Sequence, residues 1–180
     1  MSTLATKLGA LRTFWQENVD VRPEEKPRAR LGMLTLFGLI VAHELLETAR
    51  HAVFLERLSA DHLPYAYLAL AAGALLWTLV ARGLSGRVRT PSLSATLGVS
   101  AVGAGALYAL YGEEGAVYPY VLYFSTSLVV PVWLVAYWVR ESSLWTVLEA
   151  KRIFAFFALG GLAGNVMGAA LARTLAERYG

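Results

Sequence analysis

Four stretches of the chain are apolar throughout, residues 63–81, 92–111, 117–139 and 153–172, and none contains Asp, Glu, Lys or Arg. A helix needs about 20 residues to cross a hydrocarbon core about 30 Å thick, so each stretch has the length of a membrane span. A fifth block, 31–42, is too short alone. It reads as a span over 31–55 if His43, Glu44, Glu47, Arg50 and His51 are accepted inside it, because Ala52, Val53, Phe54 and Leu55 resume the apolar pattern. The first 30 residues differ. Leu4, Leu8, Leu11 and Trp15 recur at helical spacing beside Lys7 and Arg12, which predicts an amphipathic helix lying on a membrane surface. Pro23 and Pro27 then predict a stiff connector into the first span. The expected fold class is all-α: a polytopic bundle of about five transmembrane helices over residues 31–180, preceded by a cytoplasmic surface helix and connector over 1–30.

Composition supports this reading. Apolar residues make up 57% of the 180 and charged residues 16%, against roughly a quarter charged in soluble domains, which excludes an ordinary soluble domain and a disordered chain. No cysteine is present, so a disulfide scaffold is excluded. The absence of a long apolar run in the first 30 residues argues against a cleavable signal peptide. Lys and Arg divide unevenly between the two sides implied by five spans: twelve on the side of the N-terminus and four on the other. That asymmetry predicts a cytoplasmic N-terminus in a bacterial-type inner membrane. The net charge of +3 is then a topology signal, with no nucleic-acid partner implied. An odd number of spans and an abrupt end at Gly180 suggest part of something larger.

The richest chemistry lies at the end of the first span. His43, Glu47 and His51 fall on one helical face at i, i+4 and i+8, with Arg50 three residues after Glu47. Ionisable groups at membrane depth are costly and usually serve a pathway or a pair, so these four residues form a candidate solute, ion or proton site. The competing reading is a solvated helix end. His43-Glu44-x-x-Glu47 also resembles half of the zinc signature His-Glu-x-x-His, but the second imidazole is replaced by Glu47, and no metal site is expected. Gly83-Leu84-Ser85-Gly86 matches a serine-protease fragment, yet no histidine follows Ser85 to act as base. Gly160, Gly164 and Gly168, four apart with Gly161 beside them, form a small-residue stripe that lets a neighbouring helix come close. Asn165 within that span is either a packing hydrogen-bond partner or a solute contact. Lys151 and Arg152 form a basic pair before the fifth span, read as a cytoplasmic gate or binding group, or as a positive-inside anchor.

Taken in order, the motifs resemble those of the ATP/ADP translocase family, the nucleotide transporters of plastids and intracellular bacteria, and its wider bacterial relatives of the major facilitator fold. The resemblance rests on Val21-Arg22-Pro23-Glu24, then Leu45 through Leu55, then Leu63-Pro64-Tyr65-x-Tyr67-Leu68. Tyr137-Trp138, Ala150-Lys151-Arg152-Ile153-Phe154 and Gly160-Gly161-Leu162-Ala163-Gly164 follow. It covers nearly the whole chain and implies the first half of such a transporter without its last helix. Glu47 and His51 stand where the nucleotide carriers have a lysine and an aspartate, so a cation that would meet phosphate is missing there.

The function expected from these features is a membrane transport module for a nucleotide or another anionic solute. It would pair with a second copy or a second transporter half in the lipid bilayer. The alternative is a membrane-anchoring, sensory or assembly module without transport. No complete catalytic set can be assembled, so neither an enzyme nor a cofactor is expected.

Overall fold

The computed structural model of the protein describes residues 21–84, 92–111 and 117–179. Residues 1–20, which include the Leu4, Leu8, Leu11 and Trp15 of the predicted surface helix, and the links at 85–91 and 112–116, including Ser85, Arg87 and Glu113, lie outside these residues. Every regular element among the described residues is helical: α1 (Lys26–Arg57), a single 3₁₀ turn (Ala60–His62), α2 (Leu63–Leu84), α3 (Leu93–Ala109), α4 (Val117–Leu144) and α5 (Val147–Tyr179). Three of them, α1, α4 and α5, are long and apolar enough to cross a membrane. α3, at 17 residues, is a shorter apolar helix of about 26 Å.

Several boundaries differ from the sequence expectation for local reasons. α1 begins at Lys26, five residues before the expected 31, because Pro27 falls in its first turn, where a missing N–H costs nothing. The preceding turn is closed by the Glu25 N–H donating to the Arg22 carbonyl and the Arg22 N–H donating to Glu25 Oε2. The connector therefore ends inside the helix. α4 and α5 run well past the expected 139 and 153, and only Trp145 and Thr146 separate them. Thr146 and Glu149 form a reciprocal capping box there: the Thr146 N–H donates to Glu149 Oε2 at 2.9 Å, and the Glu149 N–H donates to Thr146 Oγ1 at 3.4 Å. Lys151 and Arg152 consequently sit on the first turns of α5 and not in a loop.

The bundle is organised around α1, which packs against both α4 and α5, while α2 and α3 pack on α4. One apolar core joins Leu36 and Leu39 of α1, Val130, Trp133 and Tyr137 of α4, and Ile153 and Phe157 of α5. A smaller one joins Phe54, Ala66 and Tyr123. Trp133 Nε1 donates to Ser100 Oγ at 2.8 Å, tying α3 to α4.

α1 and α5 run parallel, and their close approach depends on glycine. A methyl at Gly160 would lie 2.6 Å from the Met33 carbonyl oxygen. At Gly164 it would lie 2.7 Å from that of Phe37, and at Gly168 2.7 Å from Glu44 Cβ. Two of these obstacles are backbone, which cannot step aside as a side chain can. Gly32 makes the reciprocal concession, with the Phe157 ring 2.7 Å from where its Cβ would be. The stripe is thus occupied within the chain and is not left for assembly with another copy.

Gly164→Leu should therefore force the two helices apart, at about 1–3 kcal/mol or more. Gly38→Ala, whose added methyl meets nothing within 4 Å, should be neutral or slightly stabilising. Thermal unfolding of the detergent-solubilised protein separates the two, and equal effects would show that the seam does not hold the fold.

Candidate functional site

Helical periodicity decides which way each residue of α1 faces. Arg50 and Phe54 lie on the strip toward α4, Met33, Phe37, Ile40 and Glu44 on the strip toward α5, and Gly32 touches both, meeting Phe157 and Glu141. His43, Glu47 and His51 fall between the two strips, so they face the cleft that α4 and α5 flank. The four residues picked out by spacing are brought together there. Glu47 is their hub: its Oε2 lies 3.2 Å from His43 Nε2, while its Oε1 lies 3.2 Å from Arg50 Nη2 and 3.7 Å from His51 Nε2.

Arg50 reaches across to α4. Its Nη1 donates to Ser127 Oγ, and its guanidinium lies over the Tyr123 ring at 5.0 Å. Ser127 Oγ in turn donates to the Tyr123 carbonyl at 2.6 Å. His51 meets the same ring edge-on at 5.4 Å, and Tyr67 of α2 approaches it from another side at 6.1 Å. Arg50 is only 13% exposed, and its Nε has no hydrogen-bond partner. Pro131 adds a polar group at the same level: lacking an N–H, it leaves the carbonyl of Ser127, four residues earlier, without its helical donor.

Depth follows from register. Ser127 is ten residues from Val117 and twelve from Val139, so it lies about 15 and 18 Å from the two ends of that apolar stretch. The cluster therefore lies level with the middle of the apolar stretch of α4. Glu47 is nonetheless 39% exposed, so the cleft is open to whatever fills it. Asn165 is exposed and lies on the flank of α5 opposite Leu159, Leu162, Ala163, Val166 and Ala170. Those five line an apolar groove of about 810 Å³ against Met33 on the far side of the α1–α5 seam. Asn165 thus lies away from the groove and, among the described residues, is not brought into the Glu47 cluster.

The basic pair is divided. Arg152 Nη2 lies 3.2 Å from Glu25 Oε1, a carboxylate almost wholly buried at the start of α1, whereas Lys151 is exposed. Around this proximal end, where α1 begins, further ties accumulate. Arg28 lies over the Trp145 ring at 5.6 Å and donates to the Leu144 carbonyl, and Tyr137 Oη donates to the Gly32 carbonyl at 3.1 Å. Trp138 packs on Phe154 at 5.2 Å. Glu141, 1% exposed, accepts from Trp145 Nε1 at 3.2 Å and lies 3.5 Å from Arg140 Nη1. Sequence reasoning missed Glu141, Glu25, Ser127 and Tyr123. Trp145 four residues after Glu141, and Pro131 four after Ser127, were the available signals.

Among the described residues no group of His, Cys, Asp or Glu has the arrangement of a metal site. Comparison with known protein families, with curated proteins and with solved structures gives no match.

The Arg50–Ser127 bond should be worth about 1.5–3 kcal/mol, because it is charge-assisted and shielded. Arg50→Lys, which loses the planar fork and the stacking on Tyr123, is expected to destabilise the protein by about that amount. Combined with Ser127→Ala, the losses should fall short of additivity in a double-mutant cycle of unfolding in detergent. Strict additivity would remove the bond from the account.

Proposed function

We propose that the chain is an integral membrane transport module, a half-transporter that handles a small anionic solute, with nucleotides among the candidates. The observation that carries this reading is the His43–Glu47–Arg50–His51 cluster with Ser127, set inside the apolar length of the helices and open to a cleft. Ion pairs that serve stability alone have no need of an open face, whereas intramembrane ionisable groups lining a cavity mark solute and proton routes. In this reading all five helices span the bilayer, with the N-terminus and the basic proximal end in the cytoplasm of a bacterial-type cell, following the Lys and Arg asymmetry. Lys151 then offers a cation on the cytoplasmic side of the path, and Asn165 a hydrogen-bonding amide along it.

Alternating access requires two units moving about one site, so the working transporter is a pair: two copies of this chain, or this chain and a second half. The motif order that resembles the ATP/ADP translocase family supports the same arrangement. The replacement of that family's lysine by Glu47 turns the expected solute toward anions smaller or less charged than ATP.

A membrane-anchoring or assembly module is the second reading. It is favoured by the groove beside the α1–α5 seam, which is lined by apolar side chains such as Met33, Phe37 and Leu162 and stands apart from the cluster.

Proteoliposomes containing the full chain, tested with radiolabelled ADP, phosphate and sulfate, should show saturable flux of at least one of them. Glu47→Ala and Arg50→Ala should reduce it to the level of protein-free vesicles, while Gly38→Ala leaves it intact. Absence of flux for every anion would favour the anchoring module.

A further inference from the structure

Three groups compete for one carboxylate in the cleft, and the bonding of Arg50 shows what that competition controls. Of the guanidinium's three nitrogens, Nη1 is spent on Ser127 and Nη2 on Glu47 Oε1, while Nε is buried and has no partner. Nε and Nη2 together form the edge that binds an oxyanion through two parallel hydrogen bonds. Half of that fork stands empty, and the other half is occupied by Glu47.

The release mechanism lies beside it. His51 Nε2 is 3.7 Å from the same Oε1, beyond ordinary hydrogen-bond length, and His43 Nε2 is 3.2 Å from Oε2. Neutral imidazoles leave Oε1 to Arg50. Protonated imidazoles gain charge-assisted bonds to the carboxylate and compete for it. Histidine is the side chain whose charge ordinarily changes between about pH 5 and 8. With both imidazoles charged the formal charge of His43, Glu47, Arg50 and His51 together is +2, against zero with both neutral.

The other groups facing the cluster do not offset this. Glu44 of α1 is turned toward α5 at Gly168. α4 contributes Tyr123 and Ser127, and α2 contributes Tyr67. On α5, Asn165 is uncharged, and Arg173, further toward the distal end, is paired with Glu177 at 2.7 Å.

We infer that Glu47 is a proton-controlled latch on an oxyanion site: protonation of His43 and His51 draws Glu47 off Arg50 and opens the Nε–Nη2 fork to a free oxyanion solute. This rests on the transport reading for its purpose but on the cluster alone for its chemistry. Two protons, one on each imidazole, are taken up with each anion, which gives the module a coupling ion as well as a substrate class.

The test uses the full chain in detergent, with sulfate as probe because its charge is constant across the range. Sulfate should bind about tenfold or more tightly at about pH 5.5 than at about pH 8. Glu47→Gln, close in shape to the native residue, should bind sulfate tightly at both values. His43→Gln with His51→Gln should bind weakly at both, and Arg50→Gln should not bind. Binding independent of pH in the native protein, pH dependence that survives loss of both histidines, or no sulfate binding at either pH overturns the latch. ADP should displace sulfate; displacement by phosphatidylglycerol micelles instead would give the fork to a lipid headgroup and overturn a solute site. Flux without pH-dependent binding would sink the latch and leave the transport reading standing. The reverse pattern would uphold the latch and remove transport.

Discussion

The bundle depends on how closely α1 and α5 approach. Without a side chain at Gly160 and Gly164, the backbone of α5 comes into contact with the Met33 and Phe37 carbonyls, and Gly32 admits the Phe157 ring from the other direction. In a bilayer, lipid tails are as apolar as leucine, so burying leucine between helices gains little and contact density supplies much of the attraction. A seam of backbone against side chain over Met33 to Glu44 therefore fixes the rotation of α1 about its own axis. That rotation decides where every later residue of α1 points. With Met33, Phe37, Ile40 and Glu44 committed to α5, and Arg50 and Phe54 committed to α4, His43, Glu47 and His51 are left facing the cleft between them.

The second constraint is the cost of polar groups in an apolar setting, and the molecule meets it differently at its two ends. At the proximal end each buried group is closed off: Glu25 by Arg152 and the Arg22 N–H, Glu141 by Trp145, and the Gly32 carbonyl by Tyr137. The cleft is different. Glu47 is shared by three side chains, one of them at 3.7 Å, Arg50 Nε has no partner, and the Ser127 carbonyl has lost its helical donor to Pro131. A group that served only to hold helices together would resemble the proximal end. The proposed exchange of partners at Glu47 draws on that difference between the two ends.

Much of the helical content could be read from the sequence, because uninterrupted apolar runs of about 20 residues have few structural outcomes. The cluster was also legible, since i, i+4 and i+8 spacing is enough to bring His43, Glu47 and His51 together on one helix. Two kinds of feature were not. Helix ends were misplaced by charge: Lys26, Arg30 and Arg152 read as link residues, yet a helix carries charge readily in its terminal turns, and Pro27 and the Thr146–Glu149 box set the real starts. Partners across helices were also hidden. Nothing in one dimension says that Ser127 lies opposite Arg50, or that Glu25 meets Arg152 across 127 positions of sequence. The glycine stripe was visible as a stripe, but whether it would be filled by the same chain or by another depends on a rotation that only the folded bundle defines.

Open and closed ends on one bundle have a consequence for what can surround it. Lipid tails suit the apolar groove over Met33, Phe37 and Leu162, where nothing asks for a hydrogen bond. They do not suit a 39%-exposed carboxylate flanked by two imidazoles and a guanidinium, for which each unmet hydrogen bond in hydrocarbon costs several kcal/mol. The cleft side must therefore face water or protein. Covering it with a rigid protein surface would satisfy Glu47 permanently and leave the histidines no role. A water-filled space, as the proposed transport reading requires, would satisfy the same groups while leaving them free to exchange partners. In the transport reading proposed above, the cleft and not the groove is therefore the face that would carry solute, since only the cleft presents charge.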